Sequence, residues 1–121
     1  MAAAKHVLIV EDEKPLSHAL ELKLQHEGFA TTVAPNGQKC LELLRANKYD
    51  VVLLDMMMPV MDGFQVLQKV KEEGVTLPTT FVLSNLSMRE DEDRILALGA
   101  KKFFIKSDTP LAVIVEEVKK A

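Results

Sequence analysis

Short apolar runs alternate along this chain with longer segments of helical periodicity, and that alternation restricts the fold more than any other feature. His6–Val10 (HVLIV) is a compact β-branched run, too short for a helix and ending in charge. Pro15 then suits the first turn of a helix, in which Leu16, Ala19, Leu20 and Leu24 recur at three- and four-residue spacing until Gly28 stops it. Phe29–Val33 reads as a second strand, Pro35-Asn36-Gly37 as a turn, and Cys40, Leu41, Leu44 and Ala46 as the apolar positions of a second helix. Tyr49–Leu54 is a third strand whose VVLL is apolar on both faces, as a central parallel strand requires.

The second half repeats the rhythm. Gly63–Glu73 is helical and ends at Gly74, and Thr79–Leu83 is a fourth strand after Pro78. Ser87 reads as the cap of a helix running through Leu98, with Glu90 completing a capping box, and Gly99 ends it. Lys102–Ile105 (KFFI) is a fifth strand, after which Thr109 caps and Pro110 opens a last helix carrying Leu111, Ile114, Val115 and Val118 on one face. Five strands alternating with five helices predict an α/β fold, a doubly wound parallel sheet covered on both faces, in a single domain over residues 1–121.

In open α/β sheets, sites form beyond the carboxyl ends of the strands, where the strand order reverses. The first strand ends in Glu11-Asp12-Glu13, the third in Asp55, the fourth in Ser84 and the fifth in Lys106. If the strand order is 2-1-3-4-5, strands one and three are neighbours about 4.8 Å apart, and Glu11, Asp12 and Asp55 converge. Three carboxylates that close repel one another unless a proton or cation compensates, and a hard dication such as Mg²⁺ fits because it takes oxygen ligands. Magnesium, an ammonium group and a hydroxyl around one carboxylate suit phosphoryl transfer, with Asp55 as nucleophile. Each residue also has an ordinary reading: a helix cap for Glu11–Glu13, a turn former for Asp55, a solvated strand edge for Lys106, a loop hydroxyl for Ser84. Their occurrence together at strand ends favours the site.

Composition narrows the class further. The 121 residues are 48% hydrophobic and 27% charged, a globular balance, and a net charge of −3 offers no basic footprint for nucleic acid. Cys40 is the one cysteine and points to a reducing compartment. No apolar run approaches the eighteen or so residues needed to cross a bilayer, and the first six residues do not resemble a signal peptide. The expectation is a cytoplasmic protein with no membrane segment and no second domain.

On VLIVEDE (7–13), VVLLDMMMPVMDGFQVL (51–67) and GAKKFFIK (99–106), the chain resembles a response-regulator receiver domain of two-component signalling, similar to the single-domain chemotaxis regulators. Pro59 follows Asp55 by four residues and Gly63 by eight, as that family places them. The resemblance covers about His6 to Lys120 and implies a flavodoxin-like fold. It also implies that Asp55 accepts a phosphoryl group from the phosphohistidine of a histidine kinase or phosphotransfer protein. Glu11 and Asp12 correspond to the acidic pair that holds Mg²⁺, Glu11 acting through water, and the backbone carbonyl of Met57 supplies another ligand. Lys106 pairs with the phosphoryl group, Ser84 is the switch hydroxyl, and Phe103 is the switch aromatic that rotates inward. The helix 4–strand 5–helix 5 surface then changes its binding of a downstream protein. On this reading the chain is a phosphoacceptor that assists its own phosphorylation and dephosphorylation, not a turnover enzyme.

Several positions depart from the pattern. Ser107 follows Lys106 where the family usually has a cis proline; because a non-proline cis bond costs about 2.5–4 kcal/mol, a trans bond is expected. Asn85 follows Ser84 where a small residue is usual. Lys101 and Lys102 replace an acidic pair used for dimer salt bridges in many transcriptional regulators, which makes a monomer the expectation. Met57 and Leu86 flank the path of a hydrolytic water and cannot orient it, so slow self-dephosphorylation is expected.

His6, His18 and His26 lack metal-ligand spacing, Cys40 reads as a small buried hydrophobe, and Met56, Met57, Met58 and Met61 as core or loop filling. Glu90–Asp93 reads as a solvated helix face, and Ala112 and Val113 lie off the last helix's main stripe. Three rival functions remain. An aspartate-nucleophile phosphatase needs a second acid where Met57 stands, and a flavodoxin-like electron carrier needs a phosphate loop after the first strand. The third is a degenerate receiver that binds partners unphosphorylated, kept open by Ser107 and Asn85 but opposed by the intact Asp55, Asp12 and Lys106.

Overall fold

A computed structural model describes residues 5–85 and 90–121. Its elements run β1 (His6–Val10), α1 (Lys14–His26), β2 (Ala30–Ala34), α2 (Gly37–Ala46), β3 (Val51–Asp55), α3 (Gly63–Glu73), β4 (Thr79–Ser84), α4 (Glu92–Ala97), β5 (Lys102–Ile105) and α5 (Leu111–Lys120). All five strands pair in parallel in the order β2-β1-β3-β4-β5, the order on which convergence of the carboxylates depends. The sheet is doubly wound and flavodoxin-like.

Side-chain alternation along the strands divides the core into two layers. Leu8, Val10, Val52, Leu54 and Val82 pack with the inward faces of α2, α3 and α4, including Cys40, Leu67 and Ile95. Val7, Ile9, Leu53, Phe81 and Leu83 face the other way, against Leu20 and Leu24 of α1 and Ile114 and Val118 of α5. Every residue of β3 is buried, which is why VVLL carries no polar position. Complete burial of one such side chain is worth about 1.5–3 kcal/mol.

Element boundaries differ from the sequence expectations in instructive ways. β2 begins at Ala30, one residue late, and Phe29 packs as a half-buried side chain against the α1–α5 layer. β3 begins at Val51; Tyr49 instead meets His6 edge-on, with ring centroids 4.8 Å apart. β4 continues through Ser84. Thr109 does not cap α5. Pro110 takes that position with φ −60° and ψ 148°, and its carbonyl accepts from Val113 and Ile114. The proline ring fixes φ but leaves ψ free, so the residue stands just outside the helix. Ser87 and Leu86 lie outside the described residues; α4 is Glu92–Ala97, with Glu90 and Asp91 before it in a 3₁₀ turn.

Two helix starts carry signals that fix the loops beneath them. Asn36 caps α2 by accepting from the Lys39 amide at 2.8 Å. Asp62 and Gln65 form a reciprocal capping box on α3, each side chain bonded to the other's backbone N–H at 2.9 and 3.0 Å. Of the four methionines between residues 56 and 61, Met56 and Met58 are buried and Met61 packs half-buried on the core, while Met57 is 55% exposed.

Candidate functional site

Each residue named from the strand ends is delivered by the backbone that precedes it. Glu11 follows β1, and its amide donates to the Ala34 carbonyl at 3.1 Å, tying the end of β1 to β2. Asp55 is the last residue of β3; the next amide, of Met56, donates to the Leu83 carbonyl at 3.1 Å and pins that strand end against β4. Gly63 passes so close beneath this point that an added Cβ would lie 2.3 Å from Met56 Sδ and 2.9 Å from Met56 Cα. A similar approach occurs at Gly37, where a Cβ would lie 2.5 Å from the Met61 carbonyl oxygen. The loop from Met56 to Asp62 is therefore pressed between the starts of α2 and α3.

Carboxylate oxygens of Glu11, Asp12 and Asp55 all lie within 4.8 Å of one another, the one such group of potential metal ligands among the described residues. Glu11 and Asp55 are buried, each 2% exposed, and Asp12 faces solvent. Lys106 Nζ sits against the two buried acids, 2.9 and 3.1 Å from the oxygens of Glu11 and 3.1 Å from Asp55 Oδ2. The Met57 amide donates to Asp55 Oδ1 at 3.1 Å. No buried side-chain nitrogen or oxygen among the described residues lacks a partner.

The electrostatics follow from this packing. Burial and the neighbouring Asp55 push the Glu11 carboxyl up to about 8, against the opposing pull of Lys106. Burial works against the charge on Lys106, but its contacts with Glu11 and Asp55 outweigh burial and hold the ammonium above its ordinary value. Compact oxygen donors with excess negative charge match what a hard dication requires. The donor set fits Mg²⁺.

Other expected residues are near but not joined to this cluster. Ser84 is fully buried, and its hydroxyl donates to the Asn85 carbonyl at 3.2 Å; among the described residues no hydrogen bond links it to Asp55 or Lys106. Phe103 is half-buried against the α2–α4 layer and borders a cavity of about 240 Å³ with Glu92, Ile105 and Thr109. The Lys106–Ser107 bond is trans, as expected; the segment Lys106–Asp108 turns as a short 3₁₀ helix. Lys102 pairs with Glu117 of the same chain at 2.7 Å, and Lys101 is exposed.

Sequence reasoning missed three parts of this arrangement. It assigned Glu11 to a metal and overlooked its two contacts with Lys106. The Asp62–Gln65 box was legible as D-x-x-Q before an apolar run. The tight contacts at Gly37 and Gly63 had no local signal beyond the glycines themselves.

Residues 7–118 match the response regulator receiver domain family. The chain is 41% identical over 101 residues to the transcriptional regulatory protein CseB of Streptomyces avermitilis, covering 83% of this chain and 41% of that protein. It spans less than half the length of the curated relatives it matches. The receiver domain of the Francisella response regulator 1452 superposes with a TM-score of 0.87 at 28% identity, over 96% of this chain and 94% of that one. The response regulator TrrA of Thermotoga maritima, solved in complex with Mg²⁺ and BeF, superposes with a TM-score of 0.81 at 28% identity, over 96% and 97% of the two chains. Receiver domains act in two-component signalling, are generally phosphoacceptors rather than enzymes and pair with histidine kinases. Among the described residues no helix is long and apolar enough to cross a membrane. With Asp55 buried in an acidic cluster that fits a phosphoacceptor site, the chain belongs to the response-regulator receiver domains of two-component signalling.

Proposed function

We propose that this domain is a phosphorylation-controlled binding switch in which Asp55 is the acceptor. The observation that carries this reading is the placement of Asp55, buried at a strand end, within 4.8 Å of two further carboxylates and 3.1 Å from Lys106. An Asp55 carboxylate oxygen attacks the phosphorus of a phosphohistidine on a histidine kinase or phosphotransfer protein. The P–N bond breaks, an acyl P–O bond forms, and the imidazole leaves with its electron pair and takes a proton. Glu11, Asp12, Asp55 and the Met57 carbonyl would hold Mg²⁺, which would supply positive charge to the transferring phosphoryl oxygens.

Lys106, already 3.1 Å from Asp55, pairs with the phosphoryl group. Ser84 gives up its bond to the Asn85 carbonyl and donates to a phosphoryl oxygen. Phe103 turns further into the space beside it, and the α4–β5–α5 surface changes its affinity for a downstream protein. This is a shift between two packings driven by charge added at one residue. Intact Asp55, Asp12 and Lys106 favour it over a receiver that acts unphosphorylated. Methionine at position 57 supplies no general acid for a phosphatase.

In this reading the receiver region works in the cytoplasm as a monomer and does not itself contact nucleic acid. The relatives named as transcriptional regulatory proteins are longer than this chain, and DNA binding would fall to a part of such a protein outside the receiver region.

Incubation with acetyl phosphate and magnesium, followed by intact mass measurement, tests the reading. One phosphoryl group is expected on the protein, and none on Asp55→Asn or in the absence of magnesium. Uptake by Asp55→Asn equal to that of the unaltered protein would refute it.

A further inference from the structure

Met57 is a flexible thioether standing in solvent beside the phosphoacceptor. It is 55% exposed, whereas Met56 and Met58 are buried and Met61 packs half-buried on the core. The other exposed large hydrophobics among the described residues are Leu22, Val60, Leu96 and Val113, none of which carries a sulfur. The Met57 amide donates to Asp55 Oδ1 at 3.1 Å, so the sulfur hangs three bonds from a Cα whose own amide touches the acceptor. The preceding residue is fixed: the Met56 amide donates to the Leu83 carbonyl at 3.1 Å, and the Met56 carbonyl accepts from Gly63 at 3.2 Å. A chemical change at the Met57 sulfur therefore alters the mouth of the site without unpacking the core.

We propose that Met57 is an oxidation site: conversion of its thioether to the sulfoxide by a peroxide shortens the life of the phosphoryl group on Asp55. The inference rests on the phosphoacceptor reading above and adds a redox control to it. The sulfur lone pair attacks a peroxide oxygen, the O–O bond breaks, and the two electrons that sulfur gives up reduce the peroxide to water. An apolar side chain thereby becomes a polar one. The thioether is a weak acceptor, whereas the sulfoxide oxygen accepts a hydrogen bond from water and holds it toward phosphorus. The water attacks phosphorus, the acyl P–O bond breaks, Asp55 returns to its carboxylate, and both water protons leave on the phosphate. Cys40 does not compete for the peroxide. It is fully buried, and burial pushes its thiol up to about 12, so the reactive thiolate is absent at neutral pH.

The test begins with hydrogen peroxide treatment of the protein, removal of the peroxide, and peptide mass mapping. One oxygen is expected on Met57 before Met56, Met58 or Met61 takes any. Oxidised and untreated proteins are then loaded with acetyl phosphate and magnesium, desalted, and followed by intact mass over time, with circular dichroism melts as the check on folding. Oxidation is expected to speed loss of the phosphoryl group about fivefold, the worth of one hydrogen bond to the attacking water. Treatment with methionine sulfoxide reductase is expected to restore the slow rate. Met57→Leu, which keeps an apolar side chain but has no sulfur, is expected to lose the group at one rate before and after peroxide.

Oxidation of the buried methionines ahead of Met57 would overturn the proposal, as would an unchanged or longer phosphoryl lifetime with Met57 oxidised. An equal effect of peroxide on Met57→Leu would overturn it too, placing the cause elsewhere in the chain. In each of these cases the phosphoacceptor reading stands. Failure of the untreated protein to take up a phosphoryl group would remove that reading and the proposal together.

Discussion

Gly63 lies directly beneath Asp55: a Cβ built on the glycine would stand 3.1 Å from the Asp55 carbonyl oxygen. The first residue of α3 thus sets how closely that helix approaches the end of β3. Because the nearest obstacles include the backbone of Met56, they cannot rotate away as a flexible side chain could. Gly63→Ala is expected to destabilise the fold by about 1–3 kcal/mol, the usual cost of overpacking. Urea denaturation would measure it, and phosphoryl uptake should fall with it because Asp55 is displaced. Unchanged stability would mean that α3 can move off the strand end freely.

Val60 holds the opposite kind of constraint. It is a β-branched residue with φ 70°, 82% exposed, in a tight turn closed by the Met61 amide donating to the Pro59 carbonyl at 2.8 Å. A Met61 amide bonded two residues back around φ 70° makes the rare, strained classic γ-turn, which glycine adopts more readily than a β-branched residue. Little packing is lost at so exposed a position. Val60→Gly is expected to stabilise the protein by about 1 kcal/mol, read as a rise of a few degrees in Tm.

The raised Glu11 pKa gives a pH dependence whose sign is definite. Unfolded glutamate titrates near 4.5, whereas in the metal-free folded protein the group holds its proton to about 8. Between those values the folded state binds more protons, so this contribution to stability is full below 4.5 and is lost as pH rises through 8. Magnesium must displace the same proton, so its affinity should rise over that interval. Calorimetric titrations in buffers of different ionisation enthalpy would reveal the released proton; metal affinity independent of pH from 6 to 9 would contradict this.

Met57 bears on the lifetime of the phosphorylated state. Its amide faces Asp55, but its side chain is exposed and apolar, with no group to orient water by a strong hydrogen bond. Leu86, the second residue expected on the water path, lies outside the described residues. Met57→Glu is expected to speed loss of the phosphoryl group several-fold, followed by intact mass over time. An unaltered protein that loses the group within seconds, with no phosphatase present, would refute slow self-dephosphorylation.

The strands, helices and strand-end acids were legible because they rest on local signals: β-branched runs, three- and four-residue spacing, and charge following an apolar stretch. Asp55, Glu11, Asp12 and Lys106 were named from their positions alone, and the sheet order unites them. Long-range preferences were not legible. Nothing local to Glu11 reveals that its oxygens choose Lys106 across the sheet. Thr109 looked like a cap because threonine commonly is one, yet the ψ of Pro110 ends the extended segment one residue later. Val60 gave no sign of a positive φ, since its sequence neighbours permit either hand and the pressed loop decides.

Reduction of the phosphorylated protein tests the central claim most directly. Sodium borohydride converts an aspartyl phosphate to homoserine, and peptide mass spectrometry then locates the change. After treatment with acetyl phosphate and magnesium, homoserine is expected at position 55 and at no other acidic residue. Conversion at Asp12 or elsewhere, with Asp55 intact, would contradict the account.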